Sequence, residues 1–287
     1  MITIVQNQMQ VQIHEMGAQL TSILYKGKEY LWQGDPKYWE GQAPLLFPAV
    51  GNYKDNEIKI EGVTRTMDNH GFLRTLEFAV VEHTENKVVM SAVQNEKTLE
   101  QYPYEFEVVV VFEIIDSKLH TSYTVKNIND KEMLYSFGLH PAFNCNVNTE
   151  RAFEKYYVEF PEDTKTDTLL FNEDIRVMLD QTKHISLEEQ KMFLKHEMFE
   201  RTIIFKEITF NEVRLGNTEE GDYLKFTFDG FDIFAMWQPE NAPFVCLEPW
   251  NGFDGIVQDF NDLEMSPTVQ RLSARTEKCY TMDLEIL

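Results

Sequence analysis

Short β-type segments closed off by turn chemistry recur along this whole chain, and that spacing limits the folds open to it. Ala18–Tyr25, Ile58–Ile60, Phe78–Val81, Lys87–Val93, Phe106–Ile115, Lys118–Lys126, Tyr156–Phe160, Tyr223–Phe228 and Ile233–Trp237 are rich in β-branched and aromatic residues. Between them stand Tyr25-Lys26-Gly27-Lys28, Ile60-Glu61-Gly62, Ile115-Asp116-Ser117 and Phe228-Asp229-Gly230, where Gly, Asp and Ser supply tight reversals. Hairpins join antiparallel neighbours, whereas parallel strands need long helical crossovers, and helix signals are few here. The best is Leu187–Phe193, with Ser186 as cap and Glu189 three residues on as its capping-box partner; a weaker one covers Thr98–Gln101. The pattern predicts an all-β chain, a large antiparallel β-sandwich with few short helices. No internal repeat, Gly/Ser linker or charge block marks a boundary, so residues 1–287 are expected to form one domain.

Apolar residues make up 43% of the chain and include 21 Phe, enough for a sizeable core. Twenty-six basic against 48 acidic residues leave a net charge of −22, which repels nucleic acid and anionic membrane surfaces and favours a neutral ligand. Met1 leads directly into an alternating segment with no basic or apolar leader, and the longest apolar run, Val108 to Phe112, is far too short to span a bilayer. Cys145, Cys246 and Cys279 are odd in number, widely spaced and outside any C-x-x-C pattern, which argues against a disulfide framework or zinc knuckle and suits a reducing cytoplasm.

Three constellations carry chemistry. In Ser136-Phe137-Gly138-Leu139-His140-Pro141-Ala142-Phe143, proline holds His140 in an extended conformation at a strand end, with Phe137 and Phe143 as expected apolar walls. Met67-Asp68-Asn69-His70-Gly71-Phe72-Leu73-Arg74 follows Phe47-Pro48-Ala49-Val50-Gly51-Asn52, and together they offer donors, acceptors and a ring face suited to a sugar. In Phe244-Val245-Cys246-Leu247-Glu248-Pro249-Trp250 a carboxylate interrupts an apolar strand and again precedes proline, so Glu248 is expected to be fixed at a strand end as His140 is. Burial raises the pKa of such a group unless it is partnered.

With Gly17-Ala18-Gln19-Leu20-Thr21-Ser22-Ile23, Glu29-Tyr30-Leu31-Trp32-Gln33-Gly34-Asp35 and Leu46-Phe47-Pro48, these segments give the chain a close resemblance to the aldose 1-epimerase (galactose mutarotase) superfamily and, within it, to the LacX-like branch. That branch also resembles the hexose-6-phosphate mutarotases. The resemblance implies a galactose mutarotase-like supersandwich and a cofactor-free, metal-free interconversion of the anomers of a pyranose. It implies Glu248 as general base, His140 as general acid working as imidazolium, and His70 as a ligand of the sugar ring. Trp250 is a further cleft candidate. Two departures stand out: Gly51-Asn52 occupies the place where many relatives carry Gly-Arg, leaving Arg74 to compensate, and Trp237-Gln238-Pro239 occupies that of a sugar-binding aspartate, making Gln238 its substitute.

The expected partner is a small-molecule sugar, with a free aldohexose such as galactose or glucose favoured, bound by a monomer or homodimer. A hexose 6-phosphate would need two or more cations at one end of the cleft, for which Lys54, Arg65 and Arg74 are the candidates near the matching segments. A metal enzyme using His70, His140 and Glu248, and a non-catalytic carbohydrate-binding protein, are the rival readings.

Overall fold

The computed structural model describes residues 1–145, 150–258 and 261–287. Among these, two large antiparallel sheets dominate. One orders its nine strands as Lys191–Phe193, Tyr156–Glu159, Glu212–Asn217, Gly221–Asp229, Glu277–Ile286, Lys118–Asn127, Phe106–Ile115, Lys87–Val93 and Ala79–His83. The other runs Val177–His184, Asp167–Phe171, Ile203–Lys206, Ile233–Trp237, Phe244–Asn251, Phe137–Leu139 and Leu45–Leu46, with Ala142–Asn144 also pairing onto Phe244–Asn251. A smaller sheet is built from Ile2–Gln6, Met9–His14, Gln19–Tyr25 and Lys28–Glu29. No helix among the described residues is long and apolar enough to cross a membrane.

Alternation of side chains assembles these sheets face to face. Along Phe106–Ile115, residues Phe106, Val108, Val110, Phe112 and Ile114 are buried while the intervening ones are less so, which is the period of a strand covered on one side. They share one apolar cluster with Phe205, Phe234, Met236, Val245 and Leu247 of the other sheet, so the two inner faces form a single sandwich core.

The strand Phe244–Asn251 is buried at every position, and its two faces go to different places. Val245 and Leu247 point into the inter-sheet core. Phe244 and Cys246 join Trp32 and Ala142 in a second cluster, and Trp250 joins Ile204, Ile233 and Ala235 in a third. Period-2 alternation therefore puts Glu248 on the outer face, between two apolar patches, with the small Ala235 directly across from it on the neighbouring strand.

One expectation fails. Leu187–Phe193 is no helix: Glu189 and Gln190 have φ of 49° and 64°, Glu188 and Lys191 exchange both backbone hydrogen bonds at 2.9 Å, and Lys191–Phe193 continues as a strand against Tyr156–Glu159. The cap signal lost to tertiary pairing, because Met192 and Leu194 bury fully once the segment runs as an edge strand. The weaker helix signal is real, over Glu96–Gln101, with Asn95 and Thr98 as a capping box.

Both turn residues of the Glu188–Lys191 hairpin sit in left-handed backbone that non-glycine residues adopt at a cost. The double substitution Glu189→Asn and Gln190→Gly should raise stability by about 1 kcal/mol, read as a shift in the urea midpoint at constant m-value. A helical segment would respond with a loss.

Candidate active site

A cleft of about 500 Å³ opens on the outer face of the sheet that carries Glu248. Its walls bring together Asn52, His70, Arg74, His140, Glu248 and Trp250, which lie as much as 198 positions apart in the chain.

His140 reaches Glu248 through a break in the sheet. Phe137–Leu139 pairs with one half of Phe244–Asn251 and Ala142–Asn144 with the other, leaving His140-Pro141 as the step between them, opposite the Leu247–Glu248 segment; the Leu247 N–H donates to the Pro141 carbonyl at 3.2 Å. Proline cannot donate to the ladder, so the break is where sequence chemistry requires it. The step leaves His140 Nε2 3.3 Å from Glu248 Oε2, with only 8% and 1% of the two side chains exposed. Gly138 is needed beside it, because a Cβ there would lie 2.7 Å from Trp250 Cδ1.

Burial dominates the electrostatics of this pair. It raises the Glu248 pKa well above the usual carboxylate range, opposed by the Trp250 indole. It lowers the His140 pKa well below the usual imidazole range, and the proximity of His70 and Arg74 works in the same direction. Desolvation therefore pushes both groups toward their neutral forms, against the carboxylate–imidazolium pair that charge attraction alone would favour. Neither carboxyl oxygen of Glu248, nor Nδ1 of His140, nor Nε1 of Trp250, has a hydrogen-bond partner of sound geometry. Buried polar atoms of this kind are costly, and here they cluster in side chains that line the cleft.

His70 is held in one tautomer. Its backbone N–H donates to the Gly51 carbonyl at 2.8 Å, and the Gly51 N–H donates back to His70 Nδ1 at 3.0 Å. A ring nitrogen that accepts a bond carries no proton, which leaves Nε2–H as the donor. Burial, with Arg74 adding to it, pushes the His70 pKa down to about 3, so the ring stays neutral. Its left-handed backbone, φ 64°, is imposed by the chain's tight approach at Gly71, where a Cβ would sit 2.3 Å from the Phe47 carbonyl oxygen. Asp254 anchors the loop underneath: Oδ2 accepts the Val50 N–H at 2.7 Å, and Oδ1 accepts the Tyr53 hydroxyl.

Gln238 is not part of the cleft. Its amide donates to the carbonyls of Ala242 and Phe244 at 2.7 and 2.6 Å and its oxygen meets His196 Nδ1 at 2.8 Å, with 2% of the residue exposed. The neighbour, Trp237, takes the place: it pairs with Cys246 across the sheet and lies 5.5 Å from the His140 ring. Adjacent strand residues face opposite sides, so a cleft-facing Trp237 turns Gln238 away. Nor are Phe137 and Phe143 the walls of His140, since both are buried in the inter-sheet core. Trp39, at 4.9 Å and tilted by 30°, and Trp237 supply those walls. Trp39, Asp254 and Arg201 are cleft residues that motif reasoning missed. Strand parity across Ile233–Trp237 could have found Trp237; nothing local marks the others.

The aldose 1-epimerase family model matches residues 1–262. Protein LacX, plasmid, of Lactococcus lactis subsp. lactis is 34% identical over 289 aligned residues, covering 96% of each chain. Among solved structures, a galactose mutarotase related enzyme from Lactobacillus acidophilus superposes with a TM-score of 0.90 at 26% identity, over 100% of this chain and 97% of its own. A galactose mutarotase-like protein from Lactobacillus casei ATCC 334 gives 0.90 at 27% identity, over 100% and 99%. The β-sandwich, the family match along most of the sequence and the LacX relative agree: this chain belongs to the aldose 1-epimerase family.

Proposed function

We propose that the protein is an aldose 1-epimerase that interconverts the α- and β-anomers of a hexose by acid–base ring opening and closure, with no cofactor. The observation that carries this reading is the Glu248–His140 contact: a base and an acid 3.3 Å apart on the cleft wall, both buried, with neither Glu248 oxygen in another hydrogen bond of sound geometry. The two oxygens whose protons must change in mutarotation, the C1 hydroxyl and the ring oxygen, share one carbon, so donor and acceptor have to stand side by side.

In the working form Glu248 is a carboxylate and His140 an imidazolium, one proton having moved from the carboxyl group to Nε2 of the resting pair. Glu248 then takes the proton of the C1 hydroxyl while His140 gives its proton to the ring oxygen; the bond from C1 to the ring oxygen breaks and an aldehyde forms. Opening returns the pair to its neutral state. The desolvation that raises Glu248 and lowers His140 makes the first a stronger base and the second a stronger acid, so burial assists this step. After rotation about C1–C2, Glu248 returns its proton to the carbonyl oxygen and His140 recovers one from the open-chain hydroxyl, closing the other anomer. His70 Nε2–H is the donor to a sugar oxygen, Trp39 and Trp237 the apolar faces, and Asn52, Arg74 and Trp250 further polar contacts. The three free cysteines fit a reducing cytoplasm.

A second reading, a hexose 6-phosphate as substrate, gains support from Arg201. It lines the cleft together with Arg74, and among the described residues neither guanidinium meets a carboxylate, Arg201 bonding the Glu200 carbonyl at 3.0 Å. Glu200 lines the same cleft and offsets part of their charge, which ranks this reading second.

Glu248→Gln should slow mutarotation of α-glucose or α-galactose by ~100-fold or more in polarimetry, and His140→Asn should abolish it with folding retained; unchanged rates would reject the assignments. The same Glu248→Gln substitution should stabilise the fold. Above pH 4.5 the unfolded carboxyl releases its proton while the folded one keeps it, so wild-type stability declines as pH rises and the variant's advantage in Tm should widen from pH 5 to 8. If a hexose 6-phosphate is preferred, Arg201→Ala should lower its kcat/KM by about tenfold or more and leave that of the free hexose unchanged; equal effects on both would eliminate the second reading.

A further inference from the structure

Proton transfer asks nothing of Cys246, yet its thiol stands in the same group as the reacting side chains. One ligand atom each from His140, Cys246 and Glu248 lie within 4.8 Å of one another, and all three residues are buried. Two come from alternate positions of one strand and therefore share a face; the third comes from the proline break beside it. Cys246 has Ala142 across from it on one neighbouring strand and Trp237 on the other, and Glu248 has Ala235, so each donor has a small residue opposite it on one side. Both oxygens of Glu248, a residue 1% exposed, lack hydrogen-bond partners of sound geometry and belong to a cleft-lining side chain.

We infer that this trio is a binding site for a soft divalent cation of the Zn²⁺ or Cd²⁺ class, and that the cation inhibits by occupying the acid and base. Sulfur, imidazole nitrogen and carboxylate oxygen form a donor set suited to Zn²⁺ and unsuited to Mg²⁺. Three protein ligands leave a fourth position, which water or a sugar hydroxyl fills from the cleft. On binding, the cation displaces the protons of the thiol and the carboxyl group, which pass to solvent. Since His140 and Glu248 cannot hold a cation and move protons for a sugar together, metal and hexose compete. The inhibition rests on the epimerase reading; the binding does not.

The test uses the full chain with Cys279→Ser, which removes the exposed thiol, and compares it with the same chain carrying Cys246→Ser or Cys246→Ala. Equilibrium dialysis should find one Zn²⁺ per chain, removable by chelator, and Co²⁺ should give a thiolate charge-transfer band that both Cys246 variants lose. In polarimetry Zn²⁺ should inhibit and Mg²⁺ should not, excess hexose should relieve the inhibition, and the half-inhibitory Zn²⁺ concentration should rise about tenfold or more in the Cys246 variants. Two substitutions of different size guard against misfolding of one. Zn²⁺ affinity and inhibition unchanged by both, or a Co²⁺ complex without the thiolate band, would overturn the site. Binding through Cys246 in a protein that proves inactive on every hexose would leave the site standing and remove the epimerase reading.

Discussion

Everything in the cleft depends on a carboxyl group kept out of water beside an imidazole. Moving an ionised carboxylate into such a place costs several kcal/mol even after relaxation, and Glu248 is 1% exposed. Burial accordingly pushes Glu248 and His140 toward their neutral forms. In the proposed mechanism this has a chemical consequence: the free energy that opposes their ionisation would also drive the proton movements that open a pyranose. A cleft that hydrated both groups would hold the ion pair more comfortably and make each a weaker catalyst.

The sandwich bears this cost because its core is elsewhere. Val245 and Leu247 secure the strand to the inter-sheet interior, where the side chains of both large sheets pack together, and this leaves the opposite face free to carry polar groups at Glu248 and Trp250. The apolar patches on either side of Glu248, one around Trp32 and Phe244 and the other around Ile204 and Ile233, exclude water locally. The same arrangement places Cys246 within reach of His140 and Glu248, so the proposed acid–base pair also belongs to a donor set that a soft cation prefers.

Much of this was legible in the chain. Turn chemistry between short apolar segments predicts antiparallel sheets, and Lys87–Val93, Phe106–Ile115 and Ile233–Trp237 occur with the expected bounds. The proline signal was readable for one residue of the two: His140 stands at the break between Phe137–Leu139 and Ala142–Asn144, whereas Glu248 is no strand end, because Phe244–Asn251 stays paired through Pro249 and strand parity alone turns the carboxyl group to the cleft. What escaped was set by packing between distant elements. The segment after Ser186 carries a good helix cap, yet pairing with Tyr156–Glu159 makes it a hairpin. Gln238 looks like a sugar ligand by position, but one step of strand parity gives the cleft to Trp237. Trp39 reaches His140 from a loop about 100 residues earlier, with its backbone carbonyl accepting the Trp32 indole N–H at 2.8 Å, and no local pattern announces that.

The most direct test of this account is a crystal structure with a bound hexose. The neutral-pair reading predicts the anomeric carbon between Glu248 and His140, the C1 hydroxyl within hydrogen-bond reach of a Glu248 oxygen, the ring oxygen within reach of His140 Nε2, and His70 Nε2–H on a sugar oxygen. A sugar whose anomeric end points to solvent, or one seated away from the Glu248–His140 contact, would contradict it.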